Sequence, residues 1–148
     1  PVVSGVSTER VLTHIPETER TITTTVNEAR VASGQSKLVE DTRLNALAKA
    51  RATDMISRGY YAHVSPDGTD FADMLATVGL SATTTSCENL LLTASTAPTT
   101  MTREWLASSS HEKCMLDADN VRIGVAEGVF DEATGQNIVV TIFASVVN

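Results

Sequence analysis

The C-terminal third of the chain most constrains the fold, because its apolar residues are nearly continuous. Residues 121–130 (VRIGVAEGVF) and 137–147 (NIVVTIFASVV) are rich in branched side chains, and the turn-forming stretch DEATGQ separates them. This pattern predicts two β-strands that form a terminal hairpin. Runs without regular polar positions are typical of strands covered on both faces. The rest of the chain therefore has to supply layers above and below the hairpin.

The residues before the hairpin show helical periodicity. Apolar spacing predicts one helix over residues 17–33 and a second helix between the N-cap Asp41 and the terminating Gly59. The stripe of the second helix consists of Leu44, Leu47, Ala48, Arg51 and Met55. Shorter helices are predicted over residues 70–78, from Pro98 to near Ser108, and over 111–116. Residues 80–98 are interpreted as irregular apart from 90–92.

Helices followed by a terminal hairpin indicate an α+β fold, with helices packed on an antiparallel sheet. The chain has 148 residues and no repeat or Gly/Pro-rich linker, so we predict an N-terminal arm (residues 1–16) and a single domain (17–148). His14 lies in this arm and is expected to be solvated.

The charge balance excludes some partners. Eighteen acidic residues against eleven basic ones give a formal net charge of −7, which argues against nucleic acid and anionic membranes as partners. No stretch approaches the ~20 apolar residues of a membrane span. The chain begins without a signal peptide, and we expect one to have been removed from a precursor.

Cys87 and Cys114 are the two cysteines, 27 positions apart. Spacing alone leaves two interpretations open: buried thiols, or one disulfide formed in an oxidising compartment.

Few residues can carry chemistry. His63 lies in the turn-rich loop GYYAHVSPDG, His111 ends the run SSSH, and Glu88 lies in SCENLL. Two imidazoles can ligate zinc, and a carboxylate can orient a ligand or accept a proton. The alternative without a functional site is a pair of surface histidines and a salt-bridged glutamate. No common hydrolase or nucleotide-binding motif is present.

Five motifs in order, from about residue 25 to 143, resemble the CAP superfamily of cysteine-rich secretory, venom-antigen and pathogenesis-related proteins, and its bacterial members in particular. VNEAR fits N-x-x-R, the His63 loop fits H-x-S-P-x-G, and Glu88–Asn89 fits G-E-N. The segment from Trp105 to His111 fits W-x-x-S-x-x-H, and RIGVAEGV resembles the strand that follows.

The resemblance implies a three-layer α-β-α sandwich with a central antiparallel sheet and a cleft lined by two histidines. His63 and His111 would be that pair, which binds zinc or another divalent cation in several relatives, and Glu88 would be their acidic partner. Many eukaryotic relatives have a second glutamate where this chain has Ser108, and neither Glu104 nor Glu112 occupies that position.

Two further departures concern the cysteines. Cys87 replaces the usual glycine before Glu88, and Cys114 replaces an asparagine after the second histidine. Because both motifs border one cleft in the family, the resemblance favours a Cys87–Cys114 disulfide.

The leading hypothesis is therefore a secreted, bacterial-type binding module whose cleft holds a divalent cation, with a lipid, a peptide or a cell-surface protein as its extracellular ligand. Histidine ligation predicts that the metal is lost below about pH 6. One alternative is a metal-dependent hydrolase or protease with Glu88 as its general base, and another is a structural extracellular domain without metal. We lean away from an enzyme, because the second acid is missing.

Overall fold

The structure is a computed structural model that describes residues 16–145. Its helices are α1 (Pro16–Ala32), α2 (Thr42–Arg58), the single turn α3 (Phe71–Met74), α4 (Pro98–Leu106) and α5 (Ser109–Leu116). A 3₁₀ turn, Leu75–Val78, extends α3. The predicted arm, with His14, lies outside the described residues except for Pro16, which begins α1.

The helix ends follow the expected chemistry. Asp41 accepts a hydrogen bond from the N–H of Arg43 at the start of α2, and Gly59 ends that helix with a φ of 69°. Asp70 and Asp73 cap α3 reciprocally. Thr23 and Thr24, two of three consecutive threonines in α1, donate to the carbonyls of Glu19 and Arg20, one turn earlier.

Within residues 16–145 the sheet has four strands, in the order β1-β3-β4-β2. The predicted hairpin is confirmed as β3 (Arg122–Asp131) and β4 (Gln136–Ala144). β2 (Ser86–Thr93) pairs antiparallel with β4, and the two-residue β1 (Val39–Glu40) pairs parallel with β3. The sheet is thus antiparallel except at β1.

The irregular segment predicted over residues 80–98 is wrong, because β2 occupies eight of these residues. The prediction failed because serine, glutamate, asparagine and threonine hid the apolar alternation. These side chains are buried or half-buried, and the glutamate and asparagine bond to distant parts of the chain.

The α-β-α sandwich is confirmed by two separate buried clusters, one on each face of the sheet. One cluster packs α2 and the Leu75 turn against alternate sheet residues such as Leu90, Ile138 and Val140. The other packs α1, α4 and α5 around Trp105, Val139 and Phe143. β4 contributes to both clusters, as expected for a strand covered on both faces.

Side chains cap the edges of the sheet where no strand pairs. On β3, Asn45 Oδ1 accepts from the N–H of Val125 at 2.9 Å, and Glu19 Oε1 accepts from the N–H of Glu127 at 3.1 Å. On β2, Trp105 Nε1 donates to the carbonyl of Leu90 at 3.1 Å. Such capping leaves fewer free backbone groups at an edge.

None of the helices in the described part of the chain is both long enough and apolar enough to cross a membrane.

Candidate functional site

Glu88 is the centre of the candidate site. It lies on β2 and faces α2, and its side chain is fully buried against Arg51, which is itself 2% exposed. Arg51 Nε donates to Glu88 Oε2 at 2.8 Å and Nη2 donates to Oε1 at 3.0 Å. Such a two-pronged pair fixes both side chains. Removing one partner of a buried pair typically costs about 3–5 kcal/mol of stability, because the other charge is left unpaired.

Arg51 also holds the loop that carries His63. Nη2 donates to the carbonyls of Ala62 at 3.0 Å and His63 at 2.8 Å, and Nη1 donates to the Tyr60 hydroxyl at 3.4 Å. The guanidinium therefore joins three elements: α2, β2 and the loop.

His63 is oriented by Glu88. Its Nδ1 lies 2.9 Å from Glu88 Oε1, while the side chain is 56% exposed. A carboxylate only accepts hydrogen bonds, so Nδ1 carries the proton, and in the neutral ring Nε2 is left as a free electron-pair donor. This tautomer is the one in which Nε2 can bind a metal.

The loop beyond His63 is folded on itself. Buried Ser65 donates its N–H to the carbonyl of Thr69 at 2.8 Å, and its carbonyl accepts from the N–H of Gly68 at 2.9 Å. Its hydroxyl donates to Asp67 and accepts from the N–H of Thr69. The H-x-S-P-x-G motif thus forms a compact turn that presents His63.

His111 lies in the first turn of α5, half-buried. Asn89 Nδ2 donates to the carbonyl of His111 at 3.0 Å, which links α5 to β2. Burial and the neighbouring His63 lower the pKa of His111. The charge that a protonated His63 would carry therefore acts on His111.

The Cys87–Cys114 disulfide is confirmed. The two sulfurs are bonded at 2.06 Å, and the Cα atoms are 5.9 Å apart. The bond ties the residue before Glu88 to α5, three residues beyond His111.

Arg30 braces the other end of α5. Its buried guanidinium donates to the carbonyls of Met115 at 2.7 Å, Asp117 at 3.0 Å and Asn120 at 3.3 Å. The Arg30 of the N-x-x-R motif thus positions the helix that carries His111, rather than lining the site.

The side chains of the candidate site supply only some of the ligands that a metal ion needs. Among residues 16–145, no three His, Cys, Asp or Glu side chains are arranged to hold a metal ion. Neutral imidazole nitrogens suit zinc, and His63 Nε2 is free for it. Glu88 already accepts from Arg51 on both oxygens and from His63 on one. Glu88 is therefore placed to orient His63, whereas its predicted ligand role remains a prediction.

The position at which many eukaryotic relatives carry a second glutamate holds Ser108 in this chain. Ser108 occupies the N-cap of α5, where it makes no side-chain capping bond. Glu104 and Glu112 are exposed on α4 and α5.

Sequence reasoning missed the role of Arg51. The available indication was a charged residue on the apolar stripe of α2, a position where arginine is rarely buried without a partner. The partner itself could not be named, because Glu88 is 37 residues away.

A separate groove of about 580 Å³ lies beside the exposed edge of β3, between α1 and α2, and neither His63 nor His111 lines it. It is lined by Glu19, Arg20, Thr23, Glu40, Thr42, Asn45, Ala46, Lys49, Val125 and Ala126.

The α-β-α sandwich, with an exposed histidine hydrogen-bonded to a buried glutamate, is the architecture of the cysteine-rich secretory class of domains. The model of the CAP (cysteine-rich secretory protein) family matches residues 23–143, and the chain belongs to this family.

Bacterial relatives agree with this assignment. The chain is 30% identical over 107 residues to the uncharacterized protein YkwD of Bacillus subtilis, and the match covers 72% of this chain and 41% of that relative. The chain thus spans less than half of its relative's length.

Solved structures show the same fold. An outer surface protein of Borrelia burgdorferi superposes with a TM-score of 0.80 at 19% identity, covering 93% of this chain and all of that one. An extracellular protein with an SCP domain from Bacillus anthracis gives a TM-score of 0.74 at 22% identity, covering 86% of this chain and 40% of the other.

Proposed function

We propose that this CAP domain is an extracytoplasmic binding module whose His63–His111 pair takes a divalent cation such as zinc. The observation that carries the proposal is the hydrogen bond between His63 Nδ1 and Glu88 Oε1 at 2.9 Å. It leaves Nε2 free on an exposed ring, and the charge of His63 acts on His111. Protein, water or a ligand's own donor atom would complete the coordination.

A location outside the cytoplasm is supported by two observations. The first is the Cys87–Cys114 disulfide, a bond that persists in oxidising compartments. The second is that the structural neighbours are an outer surface protein and an extracellular protein.

The extracellular ligand would contact the surface around His63. Tyr61 is 43% exposed and Val64 is 52% exposed, and both belong to the same loop. A lipid or peptide with apolar groups would find contact area beside the cation. A role as hydrolase is less well supported, because the oxygens of Glu88 are occupied by Arg51 and His63.

Zinc calorimetry at neutral pH tests the proposal. Wild-type protein should bind about one Zn²⁺ per chain, and His63→Ala and His111→Ala should each weaken binding by at least tenfold, because each removes one ligand. His14→Ala is the matched control and should leave the affinity unchanged. Equal affinity in wild type, His63→Ala and His111→Ala would contradict the histidine-pair site.

A further inference from the structure

Arg51 is the residue through which the candidate site is held together. Its side chain lies on the face of α2 that packs on the sheet, near Ala48, Ala52 and Met55, and is almost fully buried. Because this setting is apolar, only the groups that the Arg51 guanidinium binds offset the cost of burying its charge. Those groups are the carboxylate of Glu88, the carbonyls of Ala62 and His63, and the hydroxyl of Tyr60.

These contacts fix both halves of the His63–Glu88 hydrogen bond. Arg51 Nη2 binds Glu88 Oε1, which is the oxygen that faces His63 Nδ1, and the same nitrogen binds the backbone carbonyl of His63. One nitrogen therefore sets the position of the acceptor and of the residue that carries the donor. The ring of His63 is more than half exposed, and its only hydrogen bond among the described residues is the one to Glu88.

We propose that Arg51 is a positioning residue that holds His63 in the tautomer with Nδ1 protonated and Nε2 free, through Glu88 and the backbone of residues 62–63. This inference rests on the proposed function insofar as it assigns the free Nε2 to a cation. The positioning of His63 itself does not depend on metal.

Lysine cannot replace this arrangement. Its single ammonium group can keep a charge near Glu88, but it lacks the planar fork that binds both carboxylate oxygens and the two carbonyls together. Arg51→Lys therefore retains the charge and loses the geometry, which separates positioning from simple charge balance.

The test combines two readouts on Arg51→Lys, with Arg58→Lys as the matched control. Arg58 lies on the same helix but is exposed and pairs with Asp54 and Asp67. The first readout is the His63 tautomer in metal-free, isotope-labelled protein, from long-range proton–nitrogen NMR correlations. The second is the Kd for Zn²⁺ by calorimetry.

We expect wild type and Arg58→Lys to show the Nδ1-protonated tautomer, and Arg51→Lys to show a mixture of both tautomers. The Kd for Zn²⁺ should rise roughly 10- to 100-fold in Arg51→Lys, the usual effect of losing a group that orients a metal ligand. If Arg51→Lys fails to fold, Arg51→Gln, which keeps Glu88 in place but lacks the guanidinium fork, takes its place and should show the same mixture.

An unchanged His63 tautomer in a folded Arg51 variant would overturn the inference. A wild-type protein that binds no Zn²⁺, together with a tautomer change in Arg51→Lys, would remove the proposed metal site and leave the positioning role of Arg51 intact.

Discussion

At the scale of single residues, Glu127 is the most unusual group outside the candidate site. It lies on β3 beneath α1, is 1% exposed, and its Oε2 has no hydrogen-bond partner within the described part of the chain. Burial, together with the charge of Glu19, raises the pKa of Glu127 to about 7. The folded protein therefore holds a proton that the unfolded chain releases near its ordinary pKa of 4.5.

The sign of the effect on stability follows from this difference. Below pH 4.5 the carboxyl is protonated in both states, so it contributes no pH dependence. Between 4.5 and about 7 the folded state binds more protons, so the free energy of unfolding falls as pH rises and levels off above 7. This interval corresponds to roughly 3 kcal/mol.

Glu127→Gln should remove most of this pH dependence, because the amide has no charge to bury. We expect the variant to be more stable than wild type above pH 7, as measured by urea denaturation above and below the interval. Glu132→Gln, in the exposed hairpin turn, is the control and should keep the wild-type profile. The same pH profile in wild type and in Glu127→Gln would contradict the assignment.

How much of the site could be predicted also depends on single residues. The motifs singled out His63, Glu88 and His111 along the chain, and the paired departures at the cysteines led to the disulfide. The role of Arg51 was not predicted, because an arginine on a helical stripe does not indicate which carboxylate on a distant strand it pairs with. Only the folded structure shows which group neutralises a buried charge.

At the scale of elements, α2 packs unusually close to β3. Residues 124, 126 and 128 of β3 are Gly, Ala and Gly, and they share the face that α2 covers. A Cβ at Gly124 would lie 2.1 Å from the carbonyl carbon of Leu44 and 2.5 Å from the backbone nitrogen of Asn45. Only a hydrogen atom fits between the helix and the strand at this point.

Gly124→Ala should therefore be strongly destabilising. Overpacking costs about 1–3 kcal/mol and occasionally more, and backbone atoms cannot swing aside as a flexible side chain can. We expect a lower urea midpoint by circular dichroism. Gly34→Ala is the control: it has open space but a φ of +83°, so it should cost about 1–2 kcal/mol through backbone strain alone. A smaller loss in Gly124→Ala than in Gly34→Ala would contradict the close packing.

Helices and strands differ in how well sequence patterns predicted them. Helix ends with explicit chemistry, such as Asp41 and Gly59, were predicted within one or two residues. β2 was not, since its polar residues are satisfied by partners that only the folded chain brings near: Arg51 for Glu88 and His111 for Asn89. β1 is too short to leave a pattern.

At the scale of the whole molecule, the disulfide joins the sheet to one of its covering layers. Cys87 lies on β2 and Cys114 on α5, and the closed loop includes all of α4. A loop of this length contributes roughly 3 kcal/mol in the chain-entropy model.

Cys87→Ala/Cys114→Ala should therefore unfold at lower urea concentration than wild type, by the equivalent of about 2–4 kcal/mol. Reduction of the wild type should give a similar loss, and reductant should leave the double variant unchanged. Thiol titration of denatured, unreduced protein from its native compartment should find no free thiol. Two free thiols would show that the bond does not form there.

The capped edges of the sheet affect how readily a second molecule can add a strand to it. The side chains of Asn45 and Glu19 bind backbone N–H groups on β3, and the Trp105 side chain binds a backbone carbonyl on β2. A strand from a second molecule would need these same groups to pair with the sheet. A second molecule could extend the sheet only after these side chains had been pulled away. We therefore expect these side chains to hinder strand addition at both edges of the sheet, and a substitution such as Asn45→Ala to weaken that protection without removing a core side chain.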